Sequence, residues 1–148
     1  MTEPAADPRR NPIGLPARAG LPALSPDAAR TALEMAALDL ARRIVELAED
    51  KKAADIVLLD LTGLTTVADY FVIASGGSER QLDAIADGIV SGMRDEKVHA
   101  FGREGTAASH WVLVDFGSVI VHIFTPPERD YYQLERHWAE AKTILRVQ

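Results

Sequence analysis

Three sets of residues in this chain have the chemistry to build an active site. They are the glycine-rich turn Gly76-Gly77-Ser78, the aspartates Asp60, Asp69 and Asp115, and the histidines His99, His110, His122 and His137. A strand that runs into glycines and then a helix cap can cradle a phosphate, because the first N–H groups of a helix lack intrahelical partners and carry the positive end of its dipole. Nucleotidyltransferases pair such a turn with two carboxylates on the next strand, which hold Mg²⁺ against the phosphates. Here residues 84–98 continue with helical period after the turn, and no Asp-x-Asp follows on a strand. The three aspartates lie on separate segments, so only folding would bring two of them together. The histidines are dispersed, and His-Glu-x-x-His, Gly-x-Ser-x-Gly and Gly-x-x-x-x-Gly-Lys are all absent. His122 near Trp111 and Asp115 suits acid–base work, but it equally suits a histidine hydrogen-bonded within a hairpin. The turn reads as fold-building, with a nucleotidyltransferase-like nucleotide-binding enzyme as the alternative.

The elements that position these groups follow from periodicity. Ser25-Pro26-Asp27 has a cap, a first-turn proline and a first-turn acid, which predicts a helix start. Leu33, Ala37, Leu40, Ile44 and Leu47 then form one apolar stripe. The run from Asp55 to Asp60 reads as a strand covered on both faces, and residues 62–67 connect it to a second buried strand, Tyr70 to Ile73. Ser78 and Gln81 have capping-box spacing. They open a helix over 79–96 with Leu82, Ile85, Ile89 and Met93 on one side. Gly88 and Gly92 weaken that helix unless close packing needs them. A weaker strand over 98–101 and a polar loop over 102–109 follow. Next comes a hairpin, His110 to Asp115 and Ser118 to Phe124, turning around Phe116-Gly117. A two-residue turn there sets Trp111 opposite His122, and a three-residue turn slips the pairing by one. Thr125-Pro126-Pro127 ends the strand and starts a last helix over 128–145, with Tyr131, Leu134, Glu135 and Trp138 on one face. The sum is one α/β domain with a mixed, roughly five-stranded sheet flanked by helices.

Composition narrows the partners. The chain has 148 residues, enough for one domain of ordinary size, and a formal net charge of -6. An acidic body disfavours broad binding to phosphate backbones and suits a basic protein partner. The absence of cysteine excludes disulfides, thiolate metal sites and a cysteine nucleophile. No apolar run approaches the roughly 20 residues that span a bilayer. The N-terminus lacks a signal-peptide layout, and Glu3, Asp7 and the prolines oppose a transit peptide, so a cytoplasmic protein is expected. Residues 1–24, with Pro4, Pro8, Pro12, Pro16 and Pro22 among Ala, Gly and Arg, read as a disordered tail before a domain over 25–148. Arg9, Arg10 and Arg18 in that tail could touch RNA or an acidic surface, although scattered arginines are common in such tails.

Taken in order, the motifs resemble one family, the ribosomal silencing factors or Iojap proteins. They are Ala68-Asp69-Tyr70-Phe71-Val72-Ile73, Ser78 with Ala84-Ile85-Ala86-Asp87, Glu104-Gly105, and Trp111-Val112-Leu113-Val114-Asp115 with Gly117. Val121-His122-Ile123-Phe124 and Arg129 to Tyr132 with Leu134, Glu135 and Trp138 complete the set. The match covers about 33–141, and its specificity lies in the order and spacing. The resemblance implies a nucleotidyltransferase-like fold without the catalytic set, no enzymatic activity and no cofactor or metal. It also implies a translation repressor that is a homodimer when free. Such a protein binds the large ribosomal subunit through the ribosomal protein numbered fourteen and blocks joining of the small subunit when nutrients are scarce. By motif position, Asp69, Tyr70, Glu104, Trp111, Arg129 and Tyr132 are the expected partner-binding residues, each with a structural alternative. Trp111 would also serve as core or dimer contact, Asp69 as a strand cap, and Arg129 with Glu135 as a helix-surface pair.

Overall fold

The computed structural model describes residues 25–148; within the first helix the side chains of 27, 28 and 30–35 lie outside the description, as does the whole of the expected 1–24 tail. Helix α1 spans Pro26–Asp50 and is followed by strands β1 (Ala54–Asp60) and β2 (Tyr70–Ser75). Helix α2 (Glu79–Asp95) leads to β3 (Gly102–Glu104), and a short 3-10 turn, Ala107–Ser109, leads to β4 (Trp111–Asp115) and β5 (Val119–Phe124). The chain closes with α3 (Pro126–Tyr132), α4 (Leu134–His137) and β6 (Lys142–Val147). The strands form one six-stranded sheet in the order β3-β4-β5-β2-β1-β6. Only β2 and β5 pair in parallel, joined by the crossover through α2; the other neighbours are antiparallel.

Helices α1 and α2 pack on one face of this sheet. From α1 come Ala37, Leu40, Ala41, Ile44, Val45, Leu47 and Ala48, and from α2 Leu82, Ile85, Ala86, Ile89 and Met93, all buried. They meet alternate strand residues such as Ile56, Leu58, Val72, Ala74, Val112, Val114, Val121 and Ile123, as the two-residue period of a strand requires. Close packing explains the two helical glycines. A Cβ on Gly92 would lie 2.5 Å from Leu47 Cδ2, and one on Gly88 2.7 Å from Lys51. Both helices end in the same way. Lys52 and Lys97 take left-handed conformations at φ 65, and the next N–H groups, of Ala53 and Val98, return to Ala48 O at 3.0 Å and Met93 O at 2.9 Å. This is a Schellman closure with lysine where glycine is usual.

That closure corrects the strand expected over 98–101. Val98 is spent on the α2 terminus, so pairing starts later: Phe101 N–H donates to Asp115 O at 2.8 Å and β3 follows within the segment read as loop. The hairpin turn also moves by one residue. Gly117, at φ +85, and Ser118 form the turn, Phe116 is buried, and Phe116 N–H donates to Val119 O at 2.9 Å. The register therefore shifts by two, placing Trp111 opposite Phe124 and Leu113 opposite His122. A shift of two preserves faces, so Trp111 and His122 still share one.

The largest departure is at the C-terminus. The single helix expected over 128–145 breaks at Gln133, which takes φ 47, ψ 49. Tyr131 is consequently exposed rather than aligned with Leu134 and Trp138. The chain then returns as β6 alongside β1, with Ile56 opposite Val147 and Asp60 opposite Lys142. Without β6 the buried strand β1 would carry a row of unpaired backbone groups, so the pairing satisfies an obligatory demand.

Candidate functional site

The second face of the sheet carries a different set of residues. Val57, Leu59, Phe71, Ile73, Ile120 and Phe124 form its buried layer, with Trp111, Leu113, Leu134, Trp138 and Ala141 partly buried against them. Strand register sets a row straight across this face: Glu104, Leu113, His122, Ile73, Val57 and Arg146. Directly opposed residues share a side of the sheet, so Glu104 stands on the same face as the aromatic residues, at the sheet's edge.

His122 is buried on this face, and burial pushes its pKa down to about 4. Trp111 Nε1 lies 3.2 Å from its Nδ1. An indole N–H can only donate, so Nδ1 accepts and the neutral ring carries its proton on Nε2. Phe71 packs edge-on against the imidazole with centroids 4.6 Å apart. The hydrogen-bonded hairpin histidine is the reading that holds. Asp115, the imagined acid–base partner, instead accepts the Gly117 N–H at 2.7 Å.

Trp111 is half-buried and fixed on three sides. It stacks on Phe124 at 4.8 Å, meets Tyr132 at 4.7 Å and donates to His122. Its remaining side borders a cleft of about 230 Å³ lined by Glu104, Gly105, Ser109, Trp111, Leu113 and Tyr132. Gly105 is required here on two counts. Its φ is +77, and a Cβ would lie 2.2 Å from the Trp111 carbonyl oxygen. The 3-10 turn completes the wall, with Ser109 Oγ donating towards Thr106 O at 2.7 Å or Trp111 O at 3.0 Å.

Three of the six expected site residues, Glu104, Trp111 and Tyr132, therefore converge on one cleft. Arg129 lies close by on α3 but is only 12% exposed. Its guanidinium donates to Glu135 at 2.5 Å, to Asp55 O at 2.6 Å and to Ser75 Oγ at 2.7 Å. It clamps α3 and α4 to the ends of β1 and β2, a deeper role than the helix-surface pair considered from sequence. Tyr70 is 5% exposed and its ring belongs to the core beneath α1 and α2, so in this fold it faces helices rather than a partner. Asp69 is at the other end of β2, where its N–H donates to Ser118 O at 2.9 Å. The row that carries Leu113 and Glu104 crosses β2 at Ile73, so Asp69 lies about 13 Å away along the strand at ~3.3 Å per residue and two strands to the side. Leu113 and His122 were missed as site residues, although the i, i+2 spacing of Trp111 and Leu113 puts them on one side of a strand.

The Gly76-Gly77-Ser78 turn is occupied by the fold itself. Gly76 N–H donates to Phe124 O at 2.9 Å, and Gly77 N–H donates to Gln81 Oε1 at 2.7 Å. Ser78 Oγ accepts from Gln81 N–H at 3.1 Å, so the Gln81 side chain returns one residue earlier than a simple capping box has it. Asp60 similarly accepts from Thr62 N–H at 2.9 Å. The two glycine amides of the turn and one carboxylate oxygen each of Asp60 and Asp115 are thus engaged within the chain.

A mixed α/β sheet with two long helices on one side and an aromatic cleft beside the short helices α3 and α4 on the other sets the class, and comparison with known proteins gives the family. Residues 34–148 match the family described as ribosomal silencing factor during starvation. The chain belongs to the ribosomal silencing factor family, and with it to a ribosome-associated silencing role. It is 44% identical over 93 residues to ribosomal silencing factor RsfS of Bacillus subtilis, covering 63% of this chain and 79% of that protein. It is 35% identical over 98 residues to the mouse protein named mitochondrial assembly of ribosomal large subunit protein 1, covering 64% of this chain and 43% of that one. A crystal structure of a Chromobacterium violaceum protein superposes with TM-score 0.67 at 36% identity, covering 69% of this chain and 85% of that one. Among the described residues no helix is long and apolar enough to cross a membrane.

Proposed function

We propose that this protein represses translation by binding the large ribosomal subunit and sterically excluding the small subunit when nutrients are limiting. It does so without catalysis, in the cytoplasm, through the ribosomal protein numbered fourteen, and as a homodimer when free of the ribosome. The observation that carries this reading is the Glu104–Trp111–Tyr132 cleft, a rigidly braced tryptophan beside a carboxylate that makes no ion pair or hydrogen bond within the described chain. Braced aromatic anchors are the side chains that dominate protein interfaces. The net charge of -6 complements a basic ribosomal partner, and one relative's name refers to the ribosomal large subunit. Arg129 supports the surface from its margin by holding Tyr132 and its helix in place, while Asp69 would contact the partner at a separate point, at the other end of β2. The mechanism is occupancy: the bound protein must outlast encounters with the small subunit.

Sucrose-gradient sedimentation of purified subunits tests this directly. The protein is expected to travel with large subunits and to lower the joined-ribosome peak in proportion to its occupancy. Failure to do either ends the proposal.

A further inference from the structure

The polar groups lining the cleft define its ligand. The Trp111 N–H is spent on His122, and the Ser109 hydroxyl proton on Thr106 O or Trp111 O. Leu113 and Gly105 bring no polar side-chain atom. The unengaged side-chain groups of the lining are the Glu104 carboxylate and the Tyr132 hydroxyl. No cationic residue lines it. Arg103, next to Glu104, is turned to the other face of the sheet, where it holds Asp83 at 2.9 Å and Asp87 at 2.7 Å. The cleft therefore offers an indole, a phenol and a leucine as walls, one free anion at the rim, and no competing positive charge. Its volume of about 230 Å³ exceeds that of several waters at about 30 Å³ each, so it admits one long side chain.

We propose that the cleft is a receptor for a single arginine side chain presented by the docking partner, a deepening that rests on the docking function above. A guanidinium is planar and weakly hydrated, and it stacks on aromatic faces. Its N–H fork matches a carboxylate in two parallel hydrogen bonds. Stacking against Trp111 and Tyr132 leaves that fork directed at Glu104. A lysine would satisfy Glu104 but forfeit the stacking, and an apolar side chain would leave Glu104 without a partner.

The test uses the wild-type chain and the indole N–H resonances of its two tryptophans, titrated with acetyl-Gly-Arg-Gly-amide and with its lysine and norleucine analogues. The arginine peptide is expected to shift the Trp111 signal saturably and that of Trp138 little. The lysine peptide should bind several-fold more weakly and the norleucine peptide at least tenfold more weakly. In Glu104→Gln, whose exposed position leaves the fold intact, the arginine peptide should lose about tenfold in affinity. No saturable shift, equal binding of all three peptides, or unchanged affinity in Glu104→Gln each overturns the proposal. Large-subunit sedimentation separates it from the docking function. If the arginine peptide binds but the protein does not travel with large subunits, docking fails and the receptor stands. If wild type and Glu104→Gln sediment equally while no peptide binds, docking stands and the receptor fails.

Discussion

The two faces of the sheet are built to different rules. On the α1/α2 face, aliphatic side chains from regular, well-terminated helices meet mainly aliphatic strand residues, with Tyr70 and Phe116 the aromatics among the described residues of the layer. On the other face a broken helical segment lies over aromatic rings, a buried histidine and a buried serine, with Arg129 tying the parts together. The first face is built by close aliphatic packing. The second gives up close coverage to keep Trp111 and Tyr132 at the surface, and it uses hydrogen bonds rather than packing volume to hold them. A surface meant to recognise a partner needs fixed side chains with one side free, and the His122–Trp111 bond supplies the fixing.

The comparison breaks first where packing is densest. Ile85→Ala removes a fully buried side chain beneath α2 and should cost about 2–5 kcal/mol in urea unfolding, while the folded fraction keeps wild-type affinity for large subunits. Reduced affinity of the folded fraction would mean the helical face also recognises the partner.

On the aromatic face the sensitive group is His122. Its folded pKa of about 4 lies below the ordinary 6.5, so between these values the unfolded chain binds the extra proton and stability falls as the pH falls. The full loss approaches on the order of 3 kcal/mol across that window. The rings around it, Phe71, Trp111 and Phe124, do not titrate there. His122→Gln should remove this component, so the stability gap between wild type and variant should narrow steadily from pH 6.5 towards 4.5. A gap independent of pH would show that the imidazole is not held neutral.

Gly105→Ala is expected to cost about 1–3 kcal/mol, from the left-handed backbone and from the approach of its Cβ to Trp111 O. It should weaken large-subunit binding beyond what the stability loss explains, because Glu104 is displaced with it. A stable variant of full affinity would remove the Glu104 edge from the recognition surface.

Much of the architecture is legible in the residues, and the failures have local causes. The apolar stripes of α1 and α2 and the continuous run of β1 survive because each is decided by burial against the sheet. The facing of β2 could not be read, since a strand covered on both sides has no alternation to show which way Tyr70 points. The break at Gln133 leaves no mark in the sequence, because a left-handed break usually announces itself with glycine or asparagine, and here neither is present. Thr143, Ile144 and Val147 did carry a β-branched signal for β6, but β6 is required by the open edge of β1, a tertiary demand. Trp111, Glu104 and Tyr132 were identifiable as motif members. That they meet, while Asp69 remains at the far end of β2, depends on register and on the break at Gln133.

Hydrogen–deuterium exchange of the protein, free and bound to purified large subunits, tests most directly which face recognises the ribosome. New protection is predicted over 102–113 and 126–138, the segments that build the cleft, with α1 and α2 unchanged between the two states. Protection concentrated on Glu79–Asp95, with residues 102–113 exchanging as in the free protein, would contradict the assignment of recognition to the aromatic face.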